Sequence, residues 1–91
     1  MGELERETLK RLLDQRLPVI VGVWTASLPY WHANRSHAVV VVGYDEQSVY
    51  LNDPKFPSAP QAVTWDEFLV AWEEFGRFGA IIRKEPFDKT G

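Results

Sequence analysis

Two neighbouring apolar stretches decide the fold: residues 37–45 read HAVVVVGYD, and residues 49–54 read VYLNDP. The first contains four consecutive valines and the second alternates apolar and polar side chains, so both are predicted to be strands. The polar segment between them, Asp45 to Gln47, has turn chemistry. Together they predict a β-hairpin that ends at Asp53, because Pro54 cannot donate a hydrogen bond to a neighbouring strand.

This hairpin is expected to bring a histidine beside a carboxylate. A turn centred on Asp45 puts His37 opposite Asp53, and it pairs the inner positions Val39 with Leu51 and Val41 with Val49. Side chains directly opposite in an antiparallel pair have Cβ atoms about 4.5–5.5 Å apart. A carboxylate orients a neighbouring imidazole and fixes its tautomer, as a general base requires. The same contact also fits a purely structural hydrogen bond at the end of a strand.

The residues before the hairpin predict a helix and a further strand. Four leucines recur at helical spacing and predict a helix that ends before Pro18: Leu9, Leu12, Leu13 and Leu17. Residues 19–24, VIVGVW, are apolar on both faces, which is typical of a strand buried on both sides. Residues 26–36 and 54–60 are predicted to be loops.

A second helix follows the hairpin. Thr64 and Glu67 have the spacing of a capping box, and Gly76 is a candidate C-cap. Between them, large apolar side chains recur at helical spacing: Trp65, Phe68, Leu69, Trp72 and Phe75. Residues 78–83 predict a closing strand, and residues 85–91 a tail. The fold class is therefore α+β, with a mostly antiparallel sheet flanked by two helices.

Composition narrows the function. The 91 residues suffice for one domain, and they contain no apolar run of the roughly 18 residues that span a membrane. A net charge of −3 leaves no basic surface for nucleic acid. The cysteine count of zero excludes disulfides, thiolate metal sites and a thiol nucleophile from these residues. No signal sequence is evident, so the default localisation is the cytoplasm.

The hairpin and its flanks resemble papain-like cysteine peptidases, above all those of the bacteriocin-processing, double-glycine type. In that family a strand opens with the catalytic His and runs to Gly-Tyr, and the next strand ends at the orienting Asp or Asn. Residues 17–21, LPVIV, and the helix that starts at Thr64 resemble the flanking segments. The resemblance covers residues 9–82. It implies the sheet-bearing half of a papain-like fold, with His37 as general base and Asp53 as its orienting residue.

The departure from this family concerns the nucleophile. The family has a Cys at the start of an N-terminal helix and a Gln upstream of it, and residues 1–91 offer neither segment. The chain is therefore expected to be a single half-domain without the Cys-bearing segment. Ser36 points away from His37 on the same strand. Thr25 and Ser27 are alternative hydroxyl nucleophiles, but no nucleophile elbow marks them.

Two further sets of residues lie near the predicted pair. His32, His37 and Asp53 could form a two-His, one-carboxylate metal set, but their spacing matches no helical ligand pair, so we expect neither a metal nor a cofactor. Tyr30 and Trp31 lie in a loop just before the His37 strand. The resemblance implies that they line a substrate groove, and the alternative is that they pack under the sheet.

Three functional hypotheses follow. The first is a cysteine-peptidase-like domain that is inert alone and binds a peptide or a protein partner. The second is one half of a split or processed cysteine peptidase whose Cys comes from another segment. The third is a purely structural or oligomerisation module. Strands that are apolar on both faces also predict a homodimer or a hetero-partner, because a monomer tolerates little exposed apolar surface.

Overall fold

A computed structural model of the chain describes residues 2–3 and 5–81. This part of the chain forms six strands and two helices, which confirms the α+β prediction. Their bounds are β1 Gly2–Glu3, α1 Arg6–Asp14, β2 Val19–Trp24, β3 Ser36–Tyr44, β4 Ser48–Asp53, β5 Phe56–Thr64, α2 Trp65–Phe75 and β6 Phe78–Ile81. All strand pairs are antiparallel, and the order across the sheet is β1-β6-β2-β3-β4-β5.

One face of this sheet and both helices form a single core. The buried side chains alternate along the strands and recur at helical spacing in the helices; they include Val19, Val21, Val23, Val39, Val41, Leu9, Leu13, Phe68 and Trp72. On the opposite face, Ile20, Trp24 and Val42 are 38%, 36% and 38% exposed. The prediction that β2 and β3 are buried on both sides is therefore wrong within this chain, because both helices contribute to the same core.

The second helix begins and ends as the sequence indicates. The Thr64 hydroxyl accepts a hydrogen bond from the Glu67 N–H at 3.1 Å, and the Glu67 carboxylate accepts one from the Thr64 N–H at 3.0 Å. Gly76 adopts φ 104°, a left-handed conformation that suits glycine. Trp65 and Trp72 are buried, as the apolar spacing predicts.

Several element boundaries differ from the predictions. The first helix ends at Asp14, and β1 has no counterpart in the sequence-based expectation. β5 runs through Pro57 and Pro60, where a loop was expected; a strand at the edge of a sheet tolerates proline because one side of its backbone needs no partner. The expected strand residues 82–83 and the expected tail 85–91 lie outside the described residues. Neither helix of the described part is long and apolar enough to cross a membrane.

Candidate active site

The β3–β4 hairpin brings the two predicted site residues together. His37 is the second residue of β3 and Asp53 is the last residue of β4. The Nε2 atom of His37 lies 2.7 Å from the Oδ1 atom of Asp53. The side chain of Asp53 is completely buried, whereas that of His37 is 20% exposed. The contact is the one that the sequence predicts; the catalytic roles of the two residues stay predictions.

The pairing register that produces this contact differs from the expected one. At the tip, the Asp45 N–H donates to the Ser48 carbonyl, so the turn lies beyond Asp45, and Val49 pairs with Tyr44 instead of Val41. This three-residue offset alone would turn His37 and Asp53 to opposite faces, since side chains alternate along a strand.

A β-bulge returns the His37 and Asp53 side chains to the same face of the sheet. The register shifts between Val41 and Gly43, and beyond this point Leu51 pairs with Val41 instead of Val39. The remaining two-residue offset is even, so His37 and Asp53 share a face as diagonal neighbours, which long side chains can bridge. The prediction of directly opposite residues is thus wrong, although the predicted contact forms.

Asp53 accepts hydrogen bonds from four donors. Oδ1 accepts from His37 Nε2 and from the Lys55 N–H at 2.9 Å, while Oδ2 accepts from the Tyr30 hydroxyl at 2.8 Å and from Trp31 Nε1 at 2.9 Å. Burial raises the pKa of the Asp53 carboxyl, but the four hydrogen bonds outweigh burial and hold this pKa below its ordinary value. Asp53 is therefore an ionised carboxylate with its acceptor sites occupied.

The charge of Asp53 determines the tautomer of His37. An ionised carboxylate can only accept hydrogen bonds, so Nε2 of His37 must be the donor in their contact. In the neutral ring, Nδ1 then carries the lone pair. Within residues 5–81, no group hydrogen-bonds to Nδ1. In the part of the chain that the structure describes, Nδ1 is thus available to accept a proton.

Tyr30 and Trp31 lie against this pair. The Trp31 ring packs edge-on against the His37 ring, with centroids 4.8 Å apart. Phe56 packs edge-on against Tyr30 and Trp31, at 5.1 and 5.5 Å. Burial and the carboxylate of Asp53 raise the pKa of the Tyr30 phenol, so this hydroxyl stays a donor. The expected position near the pair is confirmed, while a substrate-binding role for Tyr30 and Trp31 stays a prediction.

The hydrogen bonds that Tyr30 and Trp31 donate to Asp53 are not predicted by the sequence. The available signal was that both are aromatic residues with a polar tip, in a loop that leads directly to the His37 strand. Such side chains find hydrogen-bond partners when they are buried. No pattern in the sequence indicates the contact of Phe56, because residues 54–60 predict a loop.

The alternative hydroxyl and metal sites are not assembled. Thr25 is buried, and its hydroxyl donates to the Ala33 carbonyl at 2.5 Å and accepts from the Arg35 N–H at 2.9 Å, so it holds the loop. His32 is exposed. Across residues 2–3 and 5–81, no three His, Asp or Glu side chains are arranged to hold a metal ion.

A cavity of about 330 Å³ adjoins the carboxylate end of the site. Its walls are mainly apolar and come from the end of β4, the start of β5 and the middle of β3: Val40, Asn52, Asp53, Pro54, Phe56 and Pro57. Asp53 and Phe56 belong to both the cavity and the site.

An antiparallel sheet with a His–Asp pair at the open end of a hairpin is the arrangement that the resemblance to papain-like cysteine peptidases implies. The model of the Peptidase_C39 like family matches residues 3–80, and the chain belongs to this family. A crystal structure of a protein from Bacillus anthracis, described as a C39-like peptidase, superposes with a TM-score of 0.68 at 25% sequence identity. The match covers 88% of this chain and 48% of that one, so the chain spans about half of its length. No curated protein matches the sequence.

Proposed function

We propose that this chain supplies the base half of a cysteine-peptidase site, with His37 as the general base and Asp53 as its orienting residue. The observation that carries this proposal is the 2.7 Å contact of His37 Nε2 with a buried carboxylate, together with the lack of any hydrogen-bond partner for Nδ1 among residues 5–81. An imidazole in this state can accept the proton of a thiol and so generate the reactive thiolate.

The described chain alone is proposed to be inert as a peptidase. Its sequence contains no cysteine, and no hydroxyl group of residues 5–81 is hydrogen-bonded to His37. The nucleophile would come from another segment, in the same protein or in a partner. The match to only 48% of the solved relative supports this division. Without that segment, the chain would bind a peptide or a protein without cleaving it.

Exposed apolar side chains on the sheet face opposite the core support a protein partner. Ile20, Trp24, Val42 and Phe78 are all at least about one-third exposed, on strands that are adjacent in the sheet. Covering exposed apolar surface of this kind is favourable, at roughly 25 cal/mol for each Å² removed from water. We propose that either the nucleophile-bearing segment or a second copy of the chain covers this face. A stable monomer in light scattering at micromolar concentration would count against the second copy.

The functional test compares three preparations. The 91-residue chain, the chain with the polypeptide encoded directly upstream, and the latter with His37→Ala are assayed for peptide hydrolysis under reducing conditions. We expect turnover only in the second preparation, with loss after iodoacetamide treatment. Tyr44→Phe is the matched control, because the Tyr44 hydroxyl bonds Asp14 away from the site.

Two outcomes would contradict the proposal. Hydrolysis by the pure 91-residue chain would show that a thiol is not required. Equal turnover with and without His37→Ala would show that His37 is not the base. If His37→Ala lowers stability but changes neither activity nor peptide binding, the hairpin is a structural element alone.

A further inference from the structure

The carboxylate of Asp53 has two oxygens with separate sets of partners. Oδ1 receives the His37 ring and a backbone N–H from the turn after β4, whereas Oδ2 receives only side-chain donors from the β2–β3 loop, Tyr30 and Trp31. A carboxylate held at one oxygen can still rotate about its χ2 bond, since that torsion is broad. Donors at both oxygens fix its plane, and thereby the direction from which it accepts the His37 Nε2–H.

Trp31 acts on both members of the pair. Its indole N–H donates to Asp53, and its ring packs against the His37 ring at an interplanar angle of 61°. A rotation of the imidazole that broke its bond to Asp53 would therefore also disturb this ring contact. Tyr30 is held in turn by the edge-on contact with Phe56, so its hydroxyl is fixed relative to β5.

The loop that carries these two donors is held by Thr25 and Leu28. The buried Thr25 hydroxyl bonds the loop backbone at Ala33 and Arg35, and Trp31 N–H donates to the Leu28 carbonyl at 3.1 Å. Leu28 itself is buried in the core. The loop that carries the two donors is therefore held by its own backbone contacts and by the core as well as by Asp53.

We propose that Tyr30 and Trp31 are positioning residues, which hold Oδ2 of Asp53 so that Oδ1 fixes the ring plane and tautomer of His37. This inference deepens the proposed function, and it rests on that function only where it calls His37 a general base. The inference states that the β2–β3 loop and the His37 ring are physically coupled. This coupling can be measured without any peptidase activity.

The test follows the Nε2–H proton of His37 by NMR in ¹⁵N-histidine-labelled chain. Tyr30→Phe and Trp31→Phe each remove one donor while retaining an aromatic ring. In each variant we expect solvent exchange of this proton to accelerate at least about tenfold, since hydrogen bonds to charged groups contribute strongly. Tyr44→Phe removes a comparable tyrosine–aspartate bond elsewhere and should leave the exchange unchanged.

A merely structural role would lower stability in both variants without altering the exchange or the ¹⁵N shifts of His37, and this result would overturn the inference. A second measurement needs no variant: in the unsubstituted chain, the Trp31 Nε1–H and the Tyr30 hydroxyl proton should be protected along with the His37 proton. Fast exchange of these two protons would likewise overturn it. An inactive mixture with the Cys-bearing segment, with the coupling intact, would instead refute only the proposed function.

Discussion

The β3–β4 hairpin carries an aspartate at each end, and the two carboxylates have similar partners in opposite surroundings. At the closed end, Asp45 accepts from a tyrosine hydroxyl and from the N–H of Gln47, two residues later. At the open end, Asp53 also accepts from a tyrosine hydroxyl and from an N–H two residues later. Hydrogen bonds hold the pKa of both carboxyls below the ordinary value.

The difference between the two ends lies in burial and in the additional donors. Asp45 is exposed, whereas Asp53 is 2% exposed and binds an imidazole and an indole as well. An aspartate that accepts from nearby N–H groups is common turn chemistry. Burial distinguishes Asp53 from an ordinary turn aspartate. A buried charge must be matched by hydrogen-bond donors, and water screens its electrostatic effect on a neighbouring ring less.

Removing each carboxylate should give the largest contrast. Asp53→Ala leaves four donors without a partner, so we expect the free energy of unfolding to fall by about 3–5 kcal/mol. Asp45→Ala exposes its donors to water and should cost far less. Urea unfolding of both variants measures the two losses. Equal losses would show that the buried end is not energetically distinct.

The two aspartates should also differ in how much they contribute to the loss of stability at acid pH. The folded-state pKa of Asp53 lies below the unfolded value of about 3.9. At pH values near and between these two pKa values, the folded state therefore binds fewer protons than the unfolded state. The stabilisation is therefore present above the unfolded pKa and is lost as the pH falls through the folded pKa. Unfolding free energies between about pH 5 and about pH 3 should fall less steeply in Asp53→Asn than in the unsubstituted chain.

The matched control for this titration is Asp45→Asn. Because Asp45 is exposed and screened by water, its removal should change the pH dependence less than Asp53→Asn does. A larger effect at Asp45 would mean that the exposed turn, and not the buried pair, controls acid stability.

Removing the tyrosine hydroxyl at each end should give the smallest difference in stability between the two ends. Tyr30→Phe should cost about 1–2 kcal/mol, because a buried carboxylate loses one of its donors. Tyr50→Phe removes the corresponding hydroxyl at the exposed end, where water replaces it, and should have little effect. Thermal unfolding of both variants under one buffer condition makes this comparison, and a larger loss for Tyr50→Phe would contradict it.

The sequence predicts the site contact better than the register that produces it. His37 and Asp53 mark the open end of a hairpin whatever its turn, so the strand lengths place them near each other, while the register decides whether they share a face. The register depends on the turn beyond Asp45 and on a bulge between Val41 and Gly43. Four identical valines precede Gly43, and nothing in such a run shows which residue lacks a direct partner.

The surroundings of the pair were harder to predict, for physical reasons. Pro57 and Pro60 normally interrupt strands, and only the edge position of β5 makes them acceptable. The donors Tyr30 and Trp31 reach Asp53 across more than twenty positions of sequence. Local patterns describe neighbouring residues, so they do not reveal a contact that depends on the path of a long loop.

The tautomer of His37 tests the central claim most directly. In a neutral imidazole, recorded at alkaline pH, the ¹⁵N shifts of the two ring nitrogens distinguish the protonated from the unprotonated atom. We predict a single neutral tautomer, with the proton on Nε2 and none on Nδ1. A proton on Nδ1, or an equal mixture of both tautomers, would contradict it.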